Sequence, residues 1–166
     1  MPVTLIKTEK ETRQLAQCLA QCCPEKKRVV IFFEGELGAG KTFFIRAFLH
    51  SLGYQNLVRS PTYTVMENYT VGLFSIYHLD LYRFQSANEI FAMGLSDEWD
   101  ANAIWLIEWP RRAFAFLPLP DILCRMAITI ENYRHFQLLG QTSEGKQIID
   151  CFNKRLKCGL TEARTT

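Results

Sequence analysis

Apolar and polar residues follow one another along the chain in two different patterns, and each pattern predicts a type of secondary structure. From about Glu9 to Cys22 the apolar positions recur at three- and four-residue intervals, which indicates an amphipathic helix. Thr8 and Glu11 have the spacing of a capping box at the start of this helix, and Pro24 follows its end. Residues 29–33 (VVIFF) instead form an unbroken apolar run, which is typical of a strand buried on both faces.

The rest of the chain continues this alternation of strand and helix patterns. A second helix follows residues 35–42 and carries Phe44, Phe48 and Leu52 on one face, with Gly53 at the expected C-cap. The remaining apolar stretches predict two strands joined as a hairpin, a short helix, a third buried strand, a closing β pair and a final amphipathic helix. These elements lie near Val65–Tyr69 and Leu73–His78, Ser86–Met93 (capping box Ser86 with Glu89, end at Gly94), Ala103–Trp109, Cys124–Ile130 with His135–Leu139, and Lys146–Lys157.

The segment between the first strand and the second helix carries the strongest chemical signal. Residues 35–42 (GELGAGKT) satisfy the phosphate-binding pattern G-x-x-x-x-G-K-[ST] in full. Its glycines let successive backbone amides turn toward an anion at a helix N-terminus, where Lys41 reaches the β- and γ-phosphates and Thr42 offers its hydroxyl to magnesium. This loop therefore predicts binding of a nucleoside triphosphate with Mg²⁺. The loop residues expected to contact the nucleotide, besides Lys41 and Thr42, are Gly35, Leu37, Gly38, Ala39 and Gly40.

Composition and patterning together predict one domain. With 166 residues, 48% of them hydrophobic, the chain is long enough for a single packed core. We expect a three-layer α/β, P-loop NTPase-like domain with a mixed parallel and antiparallel sheet over residues 1–150, followed by a helix end and tail over residues 151–166.

Magnesium requires an acidic partner, and two strand-end carboxylates are candidates. Asp80 follows the run FSIYHL, and Glu108 lies in the run IWLIEW. Carboxylates of this kind converge at the carboxyl edge of a parallel sheet beside a phosphate loop. The residue types alone leave open which carboxylate binds magnesium and which orients water. Ser60 and Thr62 lie about twenty residues after the phosphate loop, where nucleotide switches often place a hydroxyl near the γ-phosphate. The same sequence is also typical of a polar connecting loop without a function of its own.

Other polar and aromatic residues near these motifs allow more than one interpretation. Arg111 and Arg112 could stabilise charge, but a solvated surface pair is the simpler interpretation. Trp105 is expected in the core, whereas Trp109 could be presented to a partner. His78 and His135 are expected to be packed or solvated rather than catalytic. The segment Asn153 to Leu156 lacks the aspartate with which GTPases recognise guanine, so ATP is the expected nucleotide.

Charge and cysteine usage limit the partners and the compartment. A formal net charge of +2 is low for an autonomous nucleic-acid-binding domain, so we expect no DNA binding and expect any RNA to be held by a partner. No apolar stretch approaches a membrane span, and MPVTLIKTEKE has no cleavage-site pattern, so we expect a cytoplasmic protein. The six cysteines are then expected to be reduced thiols.

The order of these motifs resembles one known family. GELGAGKT, SPTYT, YHLDLYR, the helix end at Met93-Gly94 and IEWP, in that order, are similar to the TsaE (YjeE) family of small bacterial P-loop ATPases in tRNA threonylcarbamoyladenosine biosynthesis. The resemblance covers about Thr8 to Leu139. The segment from Cys151 onward departs from it and receives no role.

The resemblance implies a role for each matching residue. Lys41 and its loop would hold the phosphates, Thr42 with Glu108 would bind magnesium, and Asp80 would be needed for hydrolysis. Ser60 and Thr62 would belong to a switch-like loop over the γ-phosphate. Two further residues, Glu9 and Arg134, would lie near the nucleotide base.

The resemblance also implies partners and a reaction. The family acts with TsaB and TsaD, and TsaD installs threonylcarbamoyl on adenosine 37 of tRNAs that read codons starting with A. This chain would be the partner-stimulated ATPase that resets the TsaB–TsaD complex between cycles. Two alternatives remain, a small-molecule kinase with Asp80 as base and a non-catalytic nucleotide switch.

Overall fold

A computed structural model describes residues 3–85, 89, 90, 94, 99 and 102–162 of the chain. In chain order the elements are β1 (Thr4–Ile6), α1 (Glu9–Ala20), β2 (Val29–Glu34), α2 (Lys41–Ser51), β3 (Met66–Val71), β4 (Phe74–Asp80), β5 (Ile104–Glu108), β6 (Ile122–Ile128), β7 (Arg134–Gly140) and α3 (Ser143–Glu162). The short helix predicted at Ser86–Met93 lies largely outside the described residues. Of its positions, Glu89 and Ile90 are described, and they are helical.

Local side-chain chemistry sets the bounds of the first helix. The capping box at Thr8 is confirmed, because its hydroxyl accepts from the Glu11 amide and the Glu11 carboxylate accepts from the Thr8 amide, both at 3.2 Å. The helix ends at Ala20, two residues before the predicted Cys22. Tight turns made by the amides of Cys22 and Cys23 replace the helical pattern there.

The sheet is mixed, as predicted. Its seven strands lie in the order β1-β7-β6-β2-β5-β4-β3. β2 pairs in parallel with β5 and β6, and β4 pairs in parallel with β5, whereas β1–β7, β6–β7 and β3–β4 are antiparallel. β1 was not predicted, because three residues are too few to show a period.

Apolar side chains cover both faces of the sheet. On one face α1, α2 and α3 pack through residues such as Leu19, Phe44 and Phe152. On the other face, the side chains of Leu81 and Trp99 pack in one cluster with Phe32 and Trp105. The central parallel strands are therefore buried on both sides, and their carboxyl ends, at Glu34, Asp80 and Glu108, share one edge of the sheet.

One prediction about the cysteines is wrong. The sulfurs of Cys22 and Cys151 form a disulfide, and their Cα atoms lie 5.8 Å apart. The pair is brought together because α3 packs against α1, a relationship between positions 129 residues apart that sequence spacing does not reveal. Cys18, Cys23 and Cys124 are free and buried, and burial raises the pKa of the Cys23 thiol to about 12.

Among the described residues, no helix is both long enough and apolar enough to cross a membrane.

Candidate nucleotide site

The phosphate loop joins β2 to α2 at the carboxyl edge of the sheet. Gly35, Gly38 and Gly40 have φ angles of +155°, +80° and +100°. A Cβ atom at Gly35 would collide with the carbonyl oxygen of Met126 on β6. Glycine is therefore required there both by backbone conformation and by the close approach of a neighbouring strand.

Lys41 is held inside this loop. Its Nζ atom donates hydrogen bonds to the carbonyl oxygens of Gly35 at 2.8 Å and Glu36 at 2.9 Å, and it lies 3.9 Å from the centre of the Trp109 ring. Burial lowers the pKa of the Lys41 ammonium, and the nearby carboxylates of Glu108, Asp80 and Glu36 oppose that shift. An anion entering the loop would find a desolvated cation beside it.

Glu108 and Thr42 make direct contact. The Thr42 hydroxyl donates to Oε1 of Glu108 at 2.8 Å, and the carboxylate is 2% exposed. A hydroxyl and a carboxylate beside a phosphate cradle are the hard oxygen donors that magnesium selects. These residues therefore fit a magnesium ion, and they are the two that the family resemblance implies as its ligands.

Asp80 makes a different set of contacts. Its Oδ2 atom accepts from the hydroxyls of Ser60 at 2.8 Å and Thr62 at 2.7 Å, and its Oδ1 atom accepts from the Tyr82 amide at 3.0 Å. The hydroxyls of Ser60 and Thr62 are 2.7 Å apart. The sequence allows two interpretations of the loop that carries Ser60 and Thr62, a nucleotide switch or a polar connection. In the structure this loop is hydrogen-bonded to Asp80.

His78, which the sequence predicts to be packed or solvated, also contacts the site. It is fully buried, as a packed histidine would be, but its Nε2 atom lies 2.9 Å from Oε1 of Glu108. The signal was its position two residues before Asp80, because alternate residues of a strand share a face.

Two clefts flank the phosphate loop. One of about 290 Å³ is lined by Lys41, Thr42, Ser60, Thr62, Asp80, Tyr82, Glu108 and Trp109, among other residues. The other, about 320 Å³, lies on the far side of the loop and is lined by Thr8, Glu9, Gly38, Phe43 and Arg134, among others. A guanidinium nitrogen of Arg134 lies 3.4 Å from the Gly38 carbonyl. The structure thus brings together the residues predicted near phosphate in one cleft, and Glu9 and Arg134 in the other.

Arg111 and Arg112 line a third and larger cleft of about 580 Å³. Arg111 donates to Glu34 at 2.8 Å, and Arg125 donates to the same carboxylate at 3.3 Å. Arg112 is exposed. Trp105 is fully buried, as predicted, whereas Trp109 contacts both the Lys41 ammonium and the Tyr82 ring.

Comparisons with known proteins agree with this geometry. A family model described as "Threonylcarbamoyl adenosine biosynthesis protein TsaE" matches residues 6–137. The tRNA threonylcarbamoyladenosine biosynthesis protein TsaE of Haemophilus influenzae is 40% identical over 131 residues, covering 77% of this chain and 80% of the relative. The protein of the same name from Rickettsia felis is 36% identical over 145 residues, covering 87% and 83%.

A solved structure shares the fold. YdiB from Bacillus subtilis superposes with a TM-score of 0.78 at 22% sequence identity, covering 93% of this chain and 95% of that one. At this identity the likeness concerns the fold, and it confirms the predicted α/β, P-loop NTPase-like architecture.

Proposed function

The chain belongs to the TsaE family of tRNA threonylcarbamoyladenosine biosynthesis, and from that premise we propose that it binds ATP with magnesium and hydrolyses it. The observation that carries the proposal is the convergence of Lys41, Thr42, Asp80 and Glu108 around one cleft at the end of a phosphate loop. A phosphate loop alone serves many activities, whereas this set supplies a phosphate cation, a metal-binding pair and a further carboxylate.

The phosphates are bound by the loop and by Lys41. The backbone amides of residues 35–42 face an anion at the N-terminus of α2, and Lys41 exchanges its bonds to Gly35 and Glu36 for the β- and γ-phosphates. The cleft containing Glu9 and Arg134 receives the adenine and ribose, because it lies on the other side of the loop from Asp80.

Thr42 and Glu108 hold the magnesium ion. When bound, this ion neutralises charge that develops on the phosphate oxygens. A threonine oxygen can bind a cation while its hydrogen still points to Glu108, so the 2.8 Å contact is compatible with both functions.

Asp80 orients the water that attacks the γ-phosphorus. The bond between that phosphorus and the ADP oxygen breaks, and ADP and inorganic phosphate are released, with the water proton transferred to phosphate. In the present structure Ser60 and Thr62 occupy Oδ2 of Asp80. A γ-phosphate that attracts these hydroxyls frees Asp80 for water, which couples occupancy of the site to the position of the loop.

The partners in this proposal are TsaB and TsaD homologues in the cytoplasm. TsaD installs threonylcarbamoyl on adenosine 37 of tRNAs that read codons starting with A, and ATP turnover by this chain resets the TsaB–TsaD complex. The modest charge of +2 supports a division of labour in which the partners hold the tRNA.

The test is ATP hydrolysis measured with and without the TsaB–TsaD pair. We expect slow turnover alone, faster turnover with the pair, loss of nucleotide binding in Lys41→Ala, and retained binding without turnover in Asp80→Ala. Lys10→Ala, an exposed lysine on α1, is the matched control for lost charge. An unchanged rate on adding the pair would end the resetting role, and wild-type binding by Lys41→Ala would end the assignment of the site.

A non-catalytic switch is the second candidate, because Asp80 is fully engaged by Ser60 and Thr62. It predicts that Asp80→Ala supports tRNA modification as well as the wild type does, while Lys41→Ala does not. A kinase finds less support, since Arg111, the candidate lid residue, is bonded to Glu34. Phosphate transfer to a hydroxyl acceptor would reverse this order.

A further inference from the structure

His78 lies in a layer between the core and the catalytic edge. Ile76, His78 and Asp80 alternate along β4 and therefore share a face of the sheet. Ile76 packs in the core beneath the helices, and Asp80 lies in the phosphate cleft. His78 is 0% exposed, so its polar ring is enclosed directly below the site.

The ring makes a single defined polar contact with the site. An ionised carboxylate only accepts hydrogen bonds, so the 2.9 Å contact assigns the hydrogen to Nε2 of His78, which donates to Oε1 of Glu108. The Thr42 hydroxyl donates to the same oxygen at 2.8 Å. Across the described residues, Oε2 of Glu108 accepts no hydrogen bond. One carboxylate oxygen is thus fixed by two donors, and the other is left for a cation or its water.

Packing alone does not explain a histidine here. Within the described part of the chain, Nδ1 of His78 has no hydrogen-bond partner although it is buried. Enclosing such an atom costs free energy that an apolar side chain would avoid. Leu106, the β5 residue paired with His78, fills its own position with an apolar side chain.

We propose that His78 is a positioning residue, which holds the Glu108 carboxylate in the orientation that serves the magnesium ion. The inference rests on the proposed function, since it concerns the same metal site. The Thr42 hydroxyl serves both Glu108 and the cation, whereas the bond from His78 supports Glu108 from below and serves no other group. His78 touches neither nucleotide nor cation and acts through Glu108.

The test separates magnesium affinity from nucleotide affinity. Binding of a fluorescent ADP is titrated in EDTA and then with increasing magnesium, for the wild type, His78→Leu and His78→Gln. Ile76→Val, a small change on the same face of β4, controls for altered packing. Removal of an outer support typically weakens metal affinity about 10- to 100-fold, and we expect His78→Leu to fall in this range with its affinity in EDTA unchanged. A glutamine amide reaches the place of Nε2, so His78→Gln should recover most of the loss, and Ile76→Val should match the wild type.

Several outcomes would overturn the inference. A wild-type magnesium response in His78→Leu would do so, as would equal losses in His78→Leu, His78→Gln and Ile76→Val, because equal losses indicate packing. If His78→Leu does not fold, His78→Asn replaces it, since its shorter amide does not reach Glu108; equal responses of the asparagine and glutamine variants would then contradict the inference. If the wild type fails to bind ADP or to respond to magnesium, the proposed function is refuted. If the wild type responds and the His78 variants respond equally well, only the role of His78 is refuted.

Discussion

The Nζ atom of Lys41 lies 3.9 Å from the centre of the Trp109 ring. Trp109 has a φ angle of +58°, a left-handed conformation that turns the chain sharply at the end of β5. The same lysine donates to the carbonyl oxygens of Gly35 and Glu36. In this structure the ammonium group of Lys41 is therefore satisfied by carbonyl oxygens of its own loop and covered by an aromatic ring.

This arrangement predicts that nucleotide binding changes the fluorescence of Trp109. Phosphate must draw Lys41 away from the two carbonyls, which alters the charge beside the indole ring. Trp99 and Trp105 are buried in the core cluster against which Trp109 packs, but neither lines the phosphate cleft, so neither should respond. We expect emission to change on adding ADP to the wild type, and the change to vanish in Trp109→Phe. A full signal in Trp109→Phe would contradict the assignment.

The hydroxyl of Thr62 predicts a separation of binding from turnover. Thr62→Val keeps the side-chain shape but removes the 2.7 Å bond to Asp80. In the proposed active state this hydroxyl leaves Asp80 for the γ-phosphate, and a hydrogen bond to a charged group contributes about 1.5–3 kcal/mol, so its loss there should slow hydrolysis about 10- to 100-fold. ATP affinity should stay near that of the wild type, because on binding the hydroxyl exchanges one charged partner for another. Thr64→Val, which removes an exposed bond to Glu67 in the same loop, is the control. Equal rates in the two variants would remove the switch role of Thr62.

Much of the site could be predicted because its signals are local. The phosphate loop is contiguous, and Asp80 and Glu108 each end an apolar run that must be a central strand. The contact between His78 and Glu108 was not predictable in the same way. This contact exists because β4 pairs with β5 in the register that sets Asp80 opposite Glu108. The sequence around His78 does not indicate which strand pairs with β4.

The same distinction applies to the fold. The bounds of α1 and β2 follow from capping and from apolar runs, so they were close to the observed ones. The three-residue β1 depends on pairing with β7, and the Cys22–Cys151 disulfide depends on the packing of α1 with α3. Both are properties of the assembled sheet and helix layer.

The disulfide predicts a redox-dependent stability. It closes a loop of more than a hundred residues, for which a bond of this kind typically contributes about 2–4 kcal/mol. In a chain of this size that corresponds to a thermal midpoint about 4–16 °C lower after reduction. The double variant Cys22→Ser, Cys151→Ser should melt near the reduced wild type and should not respond to dithiothreitol. A wild-type midpoint that is indifferent to dithiothreitol would show that the bond contributes nothing.

The ion pairs of Glu34 with Arg111 and Arg125 predict that part of the protein's stability is lost at acid pH. Burial raises the pKa of Glu34, but hydrogen bonds and charges from Arg111 and Arg125 outweigh this and lower the pKa below its usual 4.5. Because the folded-state pKa is the lower one, the stabilisation is complete above the unfolded value and is lost as pH falls through the folded value. We expect the thermal midpoint of the wild type to fall more steeply below about pH 4.5 than that of Glu34→Gln, with a smaller difference in high salt. Parallel pH profiles would mean that the ion pairs contribute no net stability.

Gly145 predicts a loss of stability that leaves nucleotide chemistry intact. A Cβ atom at this position in the first turn of α3 would collide with the carbonyl oxygen of Asp121. Asp121 is itself fixed, because its carboxylate accepts from the Val30 amide at 2.9 Å and the Thr142 hydroxyl at 2.6 Å. Overpacking of this kind costs about 1–3 kcal/mol, so Gly145→Ala should lower the free energy of unfolding by at least that range.

The control for this change is Gln147→Ala, an exposed position of the same helix that alanine suits well. Val30 lies near the start of β2 and the phosphate loop follows its end, so the disturbance enters the sheet at the edge away from the site. Folded Gly145→Ala protein should therefore bind ADP with the affinity of the wild type, measured well below its thermal midpoint. A weakened affinity there would mean that the contact between α3 and Asp121 is transmitted along β2 to the phosphate loop, and that stability and nucleotide binding are not separable in this fold.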